Sequence, residues 1–206
     1  MTAPRHQSRI WHNLYVDGAP YPTRHHHADF GGAIAYGEHH LGLPADDIQQ
    51  IRAIHEAAHA VVAIAGGGHL HHAQIEAPDN SGDTGGVCGV CGLADSQLLA
   101  TYCAAGERAD DRWLREQGLW NDRRAVCVEV GARGDRQILL ASNPRIGFGD
   151  KEVDYHLVHD LADQAIDQHW TRITTVAEVL VKEIRMDGDE IANLIRIPNG
   201  SCWVAT

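Results

Sequence analysis

Two histidines and a glutamate at a fixed spacing are the side chains of this sequence best suited to chemistry. The segment His55-Glu56-Ala57-Ala58-His59 has the form H-E-x-x-H. On an α-helix, two histidines four residues apart lie one turn apart on the same face, so both imidazoles can bind one Zn2+ ion. The glutamate is placed to accept a proton from a water that the ion activates. The motif predicts a zinc site with His55 and His59 as ligands and Glu56 as the catalytic base.

The residues around the motif predict the helix that it needs. Between Asp47 and Ala65, apolar residues recur at steps of three and four, which indicates a helix with one buried face. Asp46 or Asp47 can cap the N-terminus of this helix after Leu43-Pro44. The run Gly66-Gly67-Gly68 is expected to end it, because glycine readily takes the conformation found at helix C-termini.

A catalytic zinc ion needs a third protein ligand and an open position, and Asp154 is our predicted third ligand. A second helix is predicted from Val153, in which Asp154 heads an apolar stripe that continues through Val158, Leu161, Ala162, Ala165 and Ile166. An acidic side chain on an apolar face is costly unless it is paired or bound to a metal. Asp150 and Asp135 are alternatives, although Asn143-Pro144 shortens any helix that follows Asp135.

Further alternatives for the third ligand lie closer to the motif. Glu76 follows His59 by 17 residues but falls in a predicted strand from His69 to Ala77. His69, His71 and His72 are closer still, and we expect them to point along the same strand. The spacing H-x-x-G-x-x-H, which would supply a third histidine on a turn, is not present because Val62 stands where glycine would be required.

Charge and composition narrow the class of protein. Acidic residues outnumber basic ones, 28 to 17, which argues against nucleic acid or an anionic membrane as the main partner. The sequence contains no apolar run of roughly 20 residues and no apolar signal segment near Met1, so we expect a cytoplasmic protein. An odd number of cysteines, 5, fits a reducing compartment better than a disulfide framework. Cys88 and Cys91 form a C-x-x-C pair that could hold half of a structural metal site or simply form a turn.

Two parts of the chain differ in character. Residues 1–44 are rich in histidine, glycine and proline and predict an irregular arm. Residues 45–206 predict one domain of α+β class, mostly helical, with a small sheet. Its predicted helices include Ser96 to Leu114, Val153 to Trp170, Thr174 to Arg185 and a short last helix from Gly188. The segment from Arg123 to Leu140 is ambiguous, because Val126, Val128 and Val130 alternate as in a strand.

Several segments together resemble the FtsH-type zinc metallopeptidases, the protease half of membrane AAA proteases. The stretch Ile54-His-Glu-Ala-Ala-His-Ala-Val-Val62 resembles the zinc helix of that family, with Ala58 where glycine is usual. Residues 75–87 resemble its edge strand, and residues 103–111 resemble its helix with the pattern A-G-x-x-A-E. Residues 147–154 resemble the segment that ends in the aspartate ligand, and residues 169–191 resemble the closing helices.

The resemblance implies a zincin-like fold over residues 45–196 and hydrolysis of peptide bonds with Zn2+ as cofactor. It implies that His55, His59 and Asp154 bind the ion and that Glu56 is the base. No segment resembles the ATPase module or the transmembrane helices of the family, so we expect a stand-alone, ATP-independent peptidase acting on unstructured or small peptide substrates. Two alternatives stay open, a non-catalytic zinc-binding regulatory protein and a metal-dependent enzyme acting on a small molecule. No feature of the sequence defines an oligomeric state.

Overall fold

The fold is α+β and mostly helical, with a three-stranded antiparallel sheet. A computed structural model describes residues 12–16, 19–23, 41–78, 84–93, 95–142, 146–147 and 153–202. The strands are β1 His12–Val16, β2 Ala19–Thr23, β3 His69–Pro78, β4 Thr84–Cys91, β5 Ile146–Gly147, β6 Val153–Asp154 and β7 Arg185–Asp187. The helices are α1 Ala45–Ala65, α2 Ser96–Glu116, α3 Asp122–Gly131, α4 Arg133–Ser142, α5 Tyr155–Glu183 and α6 Gly188–Ile195.

Helix α1 lies at the centre of the domain and packs against α2, α5 and β3. From Ala53 to Ile64 only His55 is not fully buried, because the helix is covered on several sides. Five alanines of this helix have no exposed surface, namely Ala53, Ala57, Ala58, Ala60 and Ala63. Such small side chains let neighbouring helix backbones approach closely, so the motif is held in a rigid, tightly packed setting.

The start of α1 differs from the prediction. Pro44 is the N-cap residue, and Asp46 and Asp47 lie in the first turn instead of capping it. Carboxylates in the first turn still interact favourably with the helix dipole. The predicted end is confirmed, because α1 stops at Ala65 and Gly67 has a φ of +84°.

The sheet has the order β4-β3-β7, so β3 is its middle strand and β4 lies at one edge. Strands β3 and β4 pair antiparallel, with irregularities between Leu70 and His72 and between Gln74 and Ala77. The predicted strand from His69 and the predicted second strand near Val87 are both confirmed. The turn predicted at residues 79–83 lies outside the described residues.

The structure defines the one segment left ambiguous by the sequence and differs from the prediction in two others. The ambiguous segment forms two helices, α3 and α4, and not a strand. The two helices predicted between Val153 and Arg185 are one continuous helix, α5, which begins at Tyr155. Within the segment predicted to be an irregular arm, β1 and β2 form an antiparallel hairpin, with His12 opposite Thr23 and Val16 opposite Ala19. The predictions for α2 and for α6 are confirmed.

Candidate metal centre

The two motif histidines meet as their spacing predicts. On α1 the Nε2 atoms of His55 and His59 lie 3.1 Å apart, and the rings are in edge-to-face contact. His59 is almost completely buried, whereas His55 keeps 18% of its side-chain surface exposed. The pair thus faces a partly open space with two nitrogen atoms that can bind the same ion.

Acceptors on α2 fix the orientation of both rings. His55 Nδ1 lies 2.8 Å from Asp110 Oδ2, and His59 Nδ1 lies 2.8 Å from the Tyr102 carbonyl oxygen. Because a carbonyl or carboxylate oxygen accepts hydrogen bonds, each Nδ1 donates its proton and Nε2 is the nitrogen left for a metal. Metal-binding histidines usually have such a partner on their second nitrogen. Sequence reasoning missed Asp110 and Tyr102 in this role, although residues 103–111 are part of the family resemblance.

Asp135 completes a triangle of ligand atoms. Its Oδ2 lies 3.4 Å from His55 Nε2 and 3.5 Å from His59 Nε2. In a tetrahedral zinc site with bonds of about 2.0–2.1 Å, ligand atoms are separated by about 3.3–3.4 Å. The three separations of 3.1, 3.4 and 3.5 Å therefore fit one ion bound to all three residues. His55, His59 and Asp135 form one of two groups among the described residues that could hold a metal.

The aspartate in this group is one of the alternatives and not the predicted residue. Asp154 ends the short strand β6, which pairs with β5, and its side chain lies outside the described residues, as does Asp150. Asp135 lies instead in the first turn of α4. Helix α4 extends for ten residues before Asn143-Pro144, which leaves enough helix to carry this side chain.

A buried ionic cluster holds α4 in place. Arg136, next to Asp135, donates to both carboxylate oxygens of Glu107 on α2 at 2.9 Å and contacts Glu129 on α3 at 3.1 Å. His159 on α5 pairs with the same Glu107. Burial opposes ionisation of Glu107, but the Arg136 guanidinium and His159 lower its pKa to about 2. This cluster joins four helices, so it fixes the position from which Asp135 reaches the histidines.

Two glycines leave the space that the centre requires. A Cβ atom at Gly106 on α2 would lie 2.3 Å from His55 Nε2 and 2.6 Å from His59 Nε2. A Cβ atom at Gly86 on β4 would lie 2.1 Å from Glu56 Oε1. Non-bonded carbon and nitrogen or oxygen atoms do not approach so closely, so only glycine fits at either position with the present geometry.

Charge is concentrated at the centre. Burial opposes protonation of His55, but Asp110 and Asp135 hold its pKa well above 6.5. Burial opposes ionisation of Asp135, but the two histidines lower its pKa. Burial raises the pKa of Glu56. A divalent cation among these side chains would replace the protons that otherwise balance the carboxylates.

A cleft of about 990 Å³ opens beside the histidines. Glu56 and Asp135 line it, and Gly86 and Val87 of the edge strand β4 form part of its wall. Glu76, a predicted alternative ligand, also lines the cleft but is exposed and does not belong to the metal group. An ion at the centre would thus be accessible from the cleft.

The pairing of the cysteines differs from the prediction, which favoured free cysteines and a possible Cys88–Cys91 pair. Cys91 is disulfide-bonded to Cys202, whereas Cys88, Cys103 and Cys127 are free. Cys88 donates to the Glu56 carbonyl oxygen near the metal centre at 3.2 Å. Residues three apart on a strand point to opposite faces, so Cys88 and Cys91 do not form one site. Cys91 belongs instead to the second possible metal group, with His69 and His71.

Comparison with known proteins yields no match to any protein-family model and none to a curated protein. The similarity to FtsH-type peptidases therefore rests on the residues quoted above. Among the described residues, no helix combines the length and apolarity needed to cross a membrane.

Proposed function

We propose that this protein is a zinc metallopeptidase of the zincin-like, FtsH-type class that cleaves unstructured or small peptides without ATP. The observation that carries the proposal is the geometry of the metal centre. Three ligand atoms match the spacing of a tetrahedral zinc site, and both histidines are oriented by acceptors on their second nitrogen. The proposal takes His55, His59 and Asp135 as ligands, in place of the set that includes Asp154.

The donor types favour zinc over magnesium or calcium. Two imidazole nitrogens and one carboxylate oxygen are the donors typical of a catalytic zinc site that keeps one position open. Magnesium and calcium prefer sets made only of oxygen donors. When bound, zinc supplies a Lewis acid that polarises the substrate carbonyl and lowers the pKa of a coordinated water.

Glu56 is the proposed general base and acid. It follows the first histidine ligand and lines the cleft, where it packs against the backbone of Gly86. Its carboxylate accepts a proton from the attacking water, whose oxygen bonds to the peptide carbonyl carbon. As the carbon–nitrogen bond breaks, Glu56 delivers that proton to the leaving nitrogen. Its burial favours this role, because a carboxylate with a raised pKa is a stronger base and accepts the proton of the water more readily.

Strand β4 is the proposed binding edge for the substrate backbone. It is an edge strand of the sheet, and three of its residues, Gly86, Val87 and Cys88, line the cleft next to Glu56. An extended peptide can pair with such an edge through main-chain hydrogen bonds, with little dependence on sequence. The middle strand β3, which contains Ile75, has neighbours on both sides and offers no such edge.

The test uses zinc-loaded wild-type protein beside Glu56→Gln and Asp135→Ala, with an unfolded protein labelled for fluorescence as substrate. We expect the wild type to cleave it and Glu56→Gln to lose at least about 100-fold in rate with its zinc content unchanged. Asp135→Ala should lose both the zinc of the metal centre and the activity, whereas Asp154→Ala should keep both. Full activity in Glu56→Gln would refute the mechanism. A zinc-loaded wild type that cleaves nothing would support the non-catalytic alternative.

A further inference from the structure

The second group of possible metal ligands lies at the other end of strand β4 from the cleft. His69 and His71 at the start of β3 lie close together, with ring centroids 4.7 Å apart in edge-to-face contact. His69 is directly opposite Cys91 in the antiparallel register. The ligand atoms of these three residues lie within 4.8 Å of one another. Two strands thus bring three potential ligands to one place.

The C-terminal segment brings a fourth ligand to the same place. Asn199 accepts from the Leu70 amide at 2.8 Å and donates to the Leu70 carbonyl at 2.9 Å, so its side chain acts as a short strand beside β3. The Gly200 amide donates to the Gly68 carbonyl at 3.1 Å. Cys202 is thereby placed against Cys91, with Cα atoms 5.7 Å apart, and its sulfur lies 3.9 Å from His71 Nε2.

His69 is oriented in the same way as the histidines of the metal centre. Its Nδ1 lies 2.8 Å from the Gly200 carbonyl oxygen, to which it donates, so Nε2 is the nitrogen left for a metal. A backbone carbonyl on the second nitrogen is a usual feature of metal-binding histidines. His71 and Cys202 are exposed, which gives an ion access from solvent.

We propose that, in the reduced protein, His69, His71, Cys91 and Cys202 bind one Zn2+ ion as a structural site distinct from the metal centre. Two imidazoles and two thiolates are a typical donor set for structural zinc, and four protein ligands leave no position for a substrate. The ion would attach the C-terminal segment to β3 and β4, as the Cys91–Cys202 disulfide does in the oxidised protein.

The two states are related by a balanced reaction with a dithiol reductant. The reductant gives two electrons and two protons to the Cys91–Cys202 bond, which becomes two thiols while the reductant becomes a disulfide. Each thiol then releases its proton to the solvent when its sulfur binds zinc. In either state the C-terminal segment stays attached to the strand whose opposite end borders the cleft.

Cobalt spectroscopy tests this site independently of the metal centre. Thiolate ligands give Co2+ an intense near-ultraviolet charge-transfer band that nitrogen and oxygen ligands do not give. We expect reduced wild-type protein to show this band and to bind about two zinc ions per chain, and oxidised protein to bind about one. His59→Ala should keep the band, because it removes a ligand of the metal centre alone. Failure of the proposed peptidase activity would leave this result unchanged.

Single substitutions test which residues are ligands of this second site. Cys202→Ser and His71→Ala should each weaken cobalt and zinc binding at this site by at least about 100-fold, because each removes one of four ligands. Both residues are exposed, so neither change disturbs the core. Cys127→Ser, a buried cysteine on α3, is the matched control and should keep the band.

Two results would overturn the proposal. One is a wild type with all thiols reduced, as counted in denaturant, that shows no thiolate–cobalt band. The other is a band that survives in Cys202→Ser but disappears in Cys88→Ser, which would assign the thiolate to the metal centre.

Discussion

Replacement of Gly106 by alanine is a direct test of the metal centre, because one added carbon would collide with both histidine ligands. The Cβ atom would lie 2.3 Å from His55 Nε2 and 2.6 Å from His59 Nε2, whereas a comfortable contact needs about 3.5 Å. Both rings, or the α2 backbone at Gly106, would therefore have to move by about 1 Å. Movement of a ring would strain its 2.8 Å hydrogen bond to Asp110 or to the Tyr102 carbonyl.

A displacement of this size is large compared with what zinc tolerates. Ligand distances in zinc sites stay within about 0.2 Å of their usual values, so a shift of about 1 Å removes a ligand. We expect zinc affinity to fall by about 100-fold or more in Gly106→Ala. The stability change should be smaller, because alanine favours a helix over glycine by up to about 1 kcal/mol while overpacking costs about 1–3 kcal/mol.

The assay is zinc competition with a chromophoric chelator, made in a Cys202→Ser background so that only the metal centre is measured. Gly131→Ala is the matched control, since it also adds a methyl group to a helix residue but has no atom within 4 Å of the new Cβ. It should bind zinc as the parent does. A Gly106→Ala protein that remains folded by circular dichroism and binds zinc as tightly as Gly131→Ala would refute the proposed geometry.

Four further predictions follow from the contacts of the metal centre and of the buried ionic cluster beside it. Asp110→Ala should weaken zinc binding by about 10–100-fold in the same titration, because it removes the acceptor that orients a ligand. Gly86→Ala should slow peptide cleavage while zinc stays bound, because the new Cβ would displace the carboxylate of Glu56. The rate of cleavage and the zinc content, both measured on the same sample, test this. Arg136→Met should cost about 3–5 kcal/mol in the free energy of unfolding, measured with urea, because it leaves carboxylates buried without their cation. The pKa of Glu107 is lowered on folding from 4.5 to about 2, so its contribution to the free energy of unfolding should be present above pH 4.5 and be lost toward pH 2. In Glu107→Gln, the free energy of unfolding measured with urea should therefore vary less with pH over that range.

The parts of the fold that were predicted correctly are those with a local signal. Helix α1 shows an apolar period and ends at a run of glycines, and the structure has it ending at Ala65. The sequence of helix α3 is ambiguous because it lacks such an apolar period. Its residues from Ala125 to Val130 are all buried, so no polar face interrupts them, and three valines in alternate positions imitate a strand. Complete burial removes the periodicity on which such a prediction depends.

The proposed third ligand, Asp135, could not be fixed from the sequence because its position depends on contacts between distant segments. Asp135 is separated from His55 by 80 positions, and only the packing of α4 on α2 brings the two together. The sequence carries no local signal for this position, because the burial of the neighbouring Arg136 against Glu107 is visible only in the structure. A buried arginine requires a carboxylate partner, and a helix fixed in this way is a suitable support for a ligand.

The two possible metal groups are built in the same way, from two histidines of one element and an orienting acceptor of a distant segment. A short motif is therefore insufficient to define a site. In each, adjacent turns or alternate strand positions supply two histidines, and a distant segment supplies the acceptor that orients a ring. That acceptor is Asp110 or Tyr102 of α2 for the metal centre and Gly200 of the C-terminal segment for the second group. Local sequence therefore determines which nitrogens are close together, whereas tertiary packing determines whether their lone pairs converge. It follows that changes in α2 or in the C-terminal segment should weaken metal binding even where every ligand is kept.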